Sequence, residues 1–136
     1  MIKLIIGKKG SGKTKTLIEM VNNALSTSKG SVVCIEKGDK LKYDINYKCR
    51  LIDTEAYNVD SARSLYGFVA GILASNHDVT DIFVDSALKI CKNDVEGFDM
   101  FLDELDGLNA KYNVNIVITS SIAAAEASAT VAKYVG

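Results

Sequence analysis

Short apolar runs rich in β-branched residues alternate with amphipathic stretches of helix length along the whole chain, which restricts it to an α/β sheet with helices packed on its faces. Met1 to Ile6 reads as a strand. After a glycine-rich turn, residues 13 to 27 place Leu17, Ile18, Val21 and Leu25 at helical spacing, and Ser28-Lys29-Gly30 ends that helix. Ser31 to Ile35 is a second strand, Lys37 to Tyr47 a polar connection, and Lys48 to Asp53 a short third strand. Asp60-Ser61 supplies an N-cap for a helix over 61 to 76, with Leu65, Phe68, Val69 and Ile72 on its face. Asp81 to Asp85 is a fourth strand, and residues 95 to 111 form a helix with Phe98, Phe101, Leu102, Leu105 and Leu108 inward. Val114 to Thr119 is the fifth strand. The tail from Ser121 to Gly136 has two readings: its alanines predict helix, while Ala129 to Val135 also suits a terminal strand.

With 136 residues, 48% of them hydrophobic, the chain has the length of one domain spanning 1 to 136. It has no proline, no repeat and no low-complexity linker. The apolar runs fall far short of the ~18 residues of a spanning helix, and the N-terminus lacks the longer apolar stretch of a secretory signal, so a cytoplasmic location is expected. Cys34, Cys49 and Cys91 are odd in number and widely spaced, which reads as three thiols, and the lone His77 reads as a solvated turn residue. Net charge is −1, which argues against a surface that is basic throughout. Its distribution is uneven. Residues 1 to 50 hold 11 basic and 4 acidic groups, net +7, and residues 51 to 136 hold 5 basic and 13 acidic, net −8. Whether that polarity exists in space depends on how the fold interleaves the halves.

Gly7-Lys8-Lys9-Gly10-Ser11-Gly12-Lys13-Thr14 fits G-x-x-x-x-G-K-[ST] in full, and it lies where an apolar strand runs into an amphipathic helix. That setting turns loop amides and a helix N-terminus toward one anion. Here the chain resembles the P-loop NTPase superfamily. The resemblance implies a three-layer αβα sandwich with a mostly parallel five-stranded sheet. It implies a nucleotide-binding set of Gly7, Gly10, Ser11, Gly12, Lys13, Thr14 and Lys15, with Lys13 reaching the β- and γ-phosphates and Thr14 coordinating Mg²⁺. Ile82-Phe83-Val84-Asp85 resembles the family's second acidic element, which makes Asp85 the other metal residue.

Ser86 follows Asp85, where many P-loop ATPases carry glutamate. In the RecA-like and KaiC-like branch, which the order of elements resembles, the water-activating glutamate instead ends the strand after the P-loop helix. Glu36 stands there. The resemblance therefore implies a catalytic set of Lys13, Glu36 and Asp85, a γ-phosphate sensor at Thr119 or Ser120, and a fifth strand lying between the P-loop strand and the Asp85 strand. The expected function is Mg-dependent binding of ATP or another nucleoside triphosphate, with hydrolysis. A non-hydrolysing nucleotide switch or subunit and a small-molecule kinase are the rival readings. Arg50 and Arg63 are the only arginines, so fast hydrolysis is expected to draw a cation from a homo-oligomeric neighbour or a protein partner, with Arg63 the better placed. Lys37, Lys40, Lys42, Lys48 and Arg50, interleaved with Tyr43 and Tyr47 and interrupted by Asp39 and Asp44, admit a solvated connection, a nucleic-acid contact or a protein docking surface.

Overall fold

The computed structural model describes all 136 residues. Its elements run β1 (Ile2–Gly7), α1 (Lys13–Thr27), β2 (Ser31–Glu36), β3 (Arg50–Asp53), α2 (Ala62–Ser75), β4 (Val79–Val84), a single turn α3 (Ala87–Ile90), α4 (Val95–Tyr112), β5 (Asn115–Ser121) and α5 (Ala129–Tyr134). The strands form one sheet in the order β1-β5-β4-β2-β3, and every pairing is parallel. The sheet is thus more uniform than the mostly parallel one expected. β5 lies between β1 and β4, with Leu4 opposite Ile118 and Val84 also opposite Ile118 on the other side. Because all strands point the same way, Gly7, Glu36, Asp85 and Ser121 come to one edge of the sheet, where parallel α/β folds place their ligands.

Strand side chains alternate between two cores. Val33, Ile35, Ile82, Val84, Ile116 and Ile118 face α2, α4 and α5, whose buried residues include Leu65, Val69, Phe98, Phe101, Leu102 and Val131. Val32, Cys34, Phe83 and Val117 face the opposite way, onto Leu17, Val21 and Ala24 of α1. The second face also takes Leu41, Ile45 and Cys49 from the connection between β2 and β3. This corrects the reading of residues 37 to 47 as simply polar: a single helix lies on this face, and the loop supplies the apolar anchors that complete the layer.

Boundaries moved where local hydrogen bonds compete with the sheet. The third strand starts at Arg50, not Lys48, because the Cys49 amide donates to Asn46 O in a turn (3.0 Å). The fourth begins earlier, at Val79, and the fifth runs on to Ser121. In the tail the alanines win: α5 starts on a Ser128 cap, and only Val135 makes an isolated parallel bridge to Leu4. α2 starts at Ala62 on a capping box of Ser61 and Ser64, as its serines and the preceding Asp60 suggest. All three cysteines are buried free thiols, with burial pushing Cys49 and Cys91 up to about 11. His77 is exposed in the turn before β4. No helix is long and apolar enough to cross a membrane.

The charge polarity is kept only in part. One layer draws on residues 13 to 49, which hold 7 basic and 4 acidic groups, and the other on residues 62 to 134, which hold 5 basic and 10 acidic, but Lys89 of the second lines the cleft beside Lys13 and Lys15 of the first.

Candidate functional site

The loop between β1 and α1 turns back on itself through a bond from Ser11 N to Lys8 O (3.1 Å). Gly12 caps α1 in the left-handed conformation, φ 90°, which side chains adopt only under strain. A Cβ at Gly7 would stand 2.5 Å from Ser11 Oγ, so a side chain there would make the Ser11 hydroxyl turn away. Gly10 also has positive φ.

The N-terminus of α1 inverts the usual electrostatics of a helix start. α2 has a capping box, and α4 has Asp94 accepting from Gly97 N with Glu96 in its first turn. α1 has no side-chain cap and no acidic residue there, and instead carries Lys13 and Lys15. Lysines oppose the positive end of the helix dipole, and the free amides lack acceptors, so an anion in the loop would satisfy both defects. The Lys13 ammonium folds over the loop, donating to Lys8 O (2.8 Å) and Ser11 Oγ (3.5 Å).

Thr14 and Asp85, 71 residues apart, meet at the mouth of this loop: Thr14 Oγ1 donates to Asp85 Oδ1 (3.2 Å) and Oδ2 (3.4 Å). Asp85 is held by its neighbours. Its amide donates to Ile35 O (2.9 Å), and Thr119 Oγ1 donates to its Oδ1 (2.7 Å) while accepting from Ser86 N (2.8 Å). Ser86 holds a left-handed φ of 55°, a local strain of the kind that marks functional turns. Thr119 thus stands beside the site with its hydroxyl already committed to Asp85. Ser120 does not come to the cleft; it is fully buried and its hydroxyl accepts from Leu88 N (3.4 Å). Ser121, which sequence reasoning missed, lines the cleft instead.

Glu36 ends β2 as expected but is not solvated. It is 3% exposed, and its two oxygens accept from Lys40 N and Leu41 N, each at 3.1 Å. Burial raises its pKa above the ordinary carboxylate value, the two amides oppose that rise, and the charge of Asp85 adds to it. The carboxylate serves as the anchor of the 37–49 loop.

The cleft over these groups has a volume of about 750 Å³. Lys9, Lys13, Lys15, Lys40 and Lys89 line it against the single carboxylate of Asp85, an excess that suits a polyanion. Lys89 carries no sequence signal and was missed, and Lys40, read from the sequence only as part of the basic stretch from 37 to 50, was not expected in the cleft. Arg50 and Arg63 do not line the cleft: Arg50 is exposed on the edge strand, and Arg63 Nη1 binds Glu104 Oε2 (2.8 Å) on the opposite layer. Nowhere do three His, Cys, Asp or Glu side chains converge, so no all-protein metal cage exists. A hydroxyl and one carboxylate at the mouth of an amide-lined loop fit Mg²⁺, which takes few protein ligands and completes its shell with water and phosphate oxygens. No protein-family model matches this chain, and no curated protein matches it.

Proposed function

We propose that this chain is a minimal P-loop domain of RecA-like arrangement that binds a nucleoside triphosphate, ATP by resemblance, together with Mg²⁺. The meeting of Thr14 with Asp85 in front of an uncapped, lysine-bearing helix start carries the reading, because a structural turn has no need of either. Loop amides from Gly10 to Thr14 would cradle the phosphates, Lys13 would exchange Lys8 O for phosphate oxygens, and Thr14 and Asp85 would hold the metal, with Thr119 positioning Asp85. Bound Mg²⁺ supplies charge neutralisation on the β- and γ-phosphates. The order β1-β5-β4 supports the RecA-like placement.

Hydrolysis with Glu36 as the base is the first reading of turnover, and in it Glu36 must release the loop amides to reach a water. The bidentate bonding of Glu36 favours a second reading, a nucleotide switch without appreciable turnover. Calorimetric titration with Mg-ATP tests the shared core of both. Lys13→Ala is expected to remove most triphosphate affinity while leaving the melting curve intact, since the ammonium is not part of either apolar core. Unchanged affinity in the folded variant would overturn the assignment. Phosphate release without an added acceptor then separates the two readings, and an acceptor-dependent transfer would point to the kinase.

A further inference from the structure

The basic stretch from 37 to 50 does not fold into one patch. Lys37 lines a cavity shared with Glu55, Asn58, Asp60 and Lys92, Arg50 stands opposite Val33 on the edge strand, and Lys42 pairs with Asp39 (3.3 Å). Of these cations only Lys40 turns into the cleft, where Leu41 lines the wall beside it. Its side chain is exposed and makes no ion pair. Among the other lysines of the cleft, Lys13 and Lys15 ride on α1 and Lys89 on α3, whereas Lys40 lies on a segment with neither helix nor strand.

What fixes Lys40 is the buried carboxylate of Glu36. Its Oε1 accepts from Lys40 N and its Oε2 from Leu41 N, each at 3.1 Å. Between them the chain reverses at Gly38, whose φ is 97° and whose amide donates to Asp53 Oδ1 (2.8 Å). The outer end of the loop is fastened separately: Asn22 donates through Nδ2 to Asp44 O (3.2 Å) and accepts at Oδ1 from Asn46 N (3.2 Å). The Glu36 fastening therefore secures the two residues of the loop that touch the cleft, and the Asn22 fastening secures the part that does not.

We propose that Glu36 is a positioning residue for Lys40, and that Lys40 so held binds the terminal phosphate of a triphosphate in the cleft. The inference rests on the nucleotide reading of that cleft and gives Glu36 a task that needs no release of its bonds. The sheet order gives the direction. The glycine-rich loop leaves β1 at one edge, while β2 adjoins β4, with Asp85 N donating to Ile35 O (2.9 Å). A metal held at Thr14 and Asp85 bridges the β- and γ-phosphates, so a chain of phosphates that starts on the loop amides ends toward Asp85 and β2. Lys40 comes from that side, where a triphosphate supplies an anion and a diphosphate does not.

The test is calorimetric titration of the whole chain with Mg-ADP and with the magnesium complex of a non-hydrolysable ATP analogue. Lys40→Met keeps its backbone amide on Glu36 and removes only an exposed ammonium, so folding is not at stake. It should weaken the analogue on the order of tenfold and leave ADP unchanged, with Lys40→Arg restoring most of the loss. Glu36→Gln, which leaves one carbonyl oxygen for two amides, should lose the same preference, and adding Lys40→Met to it should cost nothing further. Asn22→Ala, which frees only the outer end, should keep the preference. Equal losses for ADP and the analogue, an intact preference in Lys40→Met or Glu36→Gln, additive losses in the double variant, or a preference that falls with Asn22→Ala would each overturn the proposal and leave the nucleotide reading standing. If neither nucleotide binds the wild type, or Lys13→Ala changes neither affinity, the nucleotide reading falls and the proposal with it.

Discussion

The sheet has two faces covered by different kinds of structure. On one, α2, α4 and α5 lay a continuous apolar surface against the strands, and Phe98, Phe101, Leu102 and Leu105 of α4 are all buried to within 1%. On the other, α1 stands beside a loop that contributes three anchors and otherwise points outward. The helical face is where the chain invests its packing. The thinner face carries the exposed tyrosines, and α1, the turn before it and the loop supply Lys9, Lys13, Lys15 and Lys40 of the five lysines that line the cleft at the strand ends.

The largest expected effect sharpens this contrast. Leu102→Ala should cost about 2 to 5 kcal/mol in urea unfolding, as a cavity in a close-packed helical layer. Leu41→Ala, at a residue equally hidden, should fall at about 2 kcal/mol and speed amide exchange chiefly in residues 40 to 49, since the loop can relax around the gap. Equal global losses, with uniform exchange, would break the comparison and make the loop part of one cooperative core.

A second measurement probes the anchor of that loop. Burial holds the Glu36 carboxyl above its ordinary value of 4.5, so between that value and its raised folded value the native chain binds more protons than the unfolded one. The contribution of Glu36 to stability is therefore fullest below the unfolded pKa and is lost as pH rises through the folded one. Urea midpoints of wild type and Glu36→Gln, taken from about pH 4 to about pH 7, should show the wild type losing ground to the variant as pH increases. The opposite trend would mean that the two amides outweigh burial and that the loop is held by full carboxylate charge.

The smallest effect belongs to the acidic side of the helical face. Arg63→Ala should change stability by less than about 0.5 kcal/mol, since Arg63 and Glu104 form an ion pair in which the arginine is mostly exposed. In the nucleotide reading, the same variant separates two sources of a transition-state cation. If turnover exists and is lost with Arg63, the cation comes from a neighbouring subunit; if turnover persists, Lys40 or Lys89 of the same chain is the better placed.

The unequal faces also explain what was legible in the sequence. The helical layer announces itself through periodicity: Leu65, Phe68, Val69 and Ile72, or Phe98 through Leu108, repeat at 3.6-residue spacing, and their serine and aspartate caps mark where they start. The glycine-rich loop was legible because its backbone geometry favours particular residues, with glycine at positions 10 and 12 for their positive φ. The pairing of Thr14 with Asp85 followed from a resemblance, and the structure brings the two side chains into contact. The loop from 37 to 49 was not legible. Leu41, Ile45 and Cys49 are separated by charged and aromatic residues, and nothing in that order says that α1 leaves a gap for them. Lys40, Lys89 and Ser121 reach the cleft only because parallel strands bring their ends to one edge, a long-range fact that no local pattern carries.

The sheet order has a consequence for how the molecule assembles. β1 pairs with no strand except β5, and Leu4 meets Ile118 across more than a hundred residues of chain. Strands β2, β3 and β4 find one another without either, but the strand that roots the glycine-rich loop has no place in the sheet until β5 has docked beside β4. Such distant closure costs loop entropy before any contact offsets it, so it belongs late in folding. During synthesis the octapeptide emerges before residues 115 to 121, yet the carboxylate across from it gains its Thr119 bond only when those residues have left the ribosome and joined the sheet. The loop is made long before the strand that completes its surroundings.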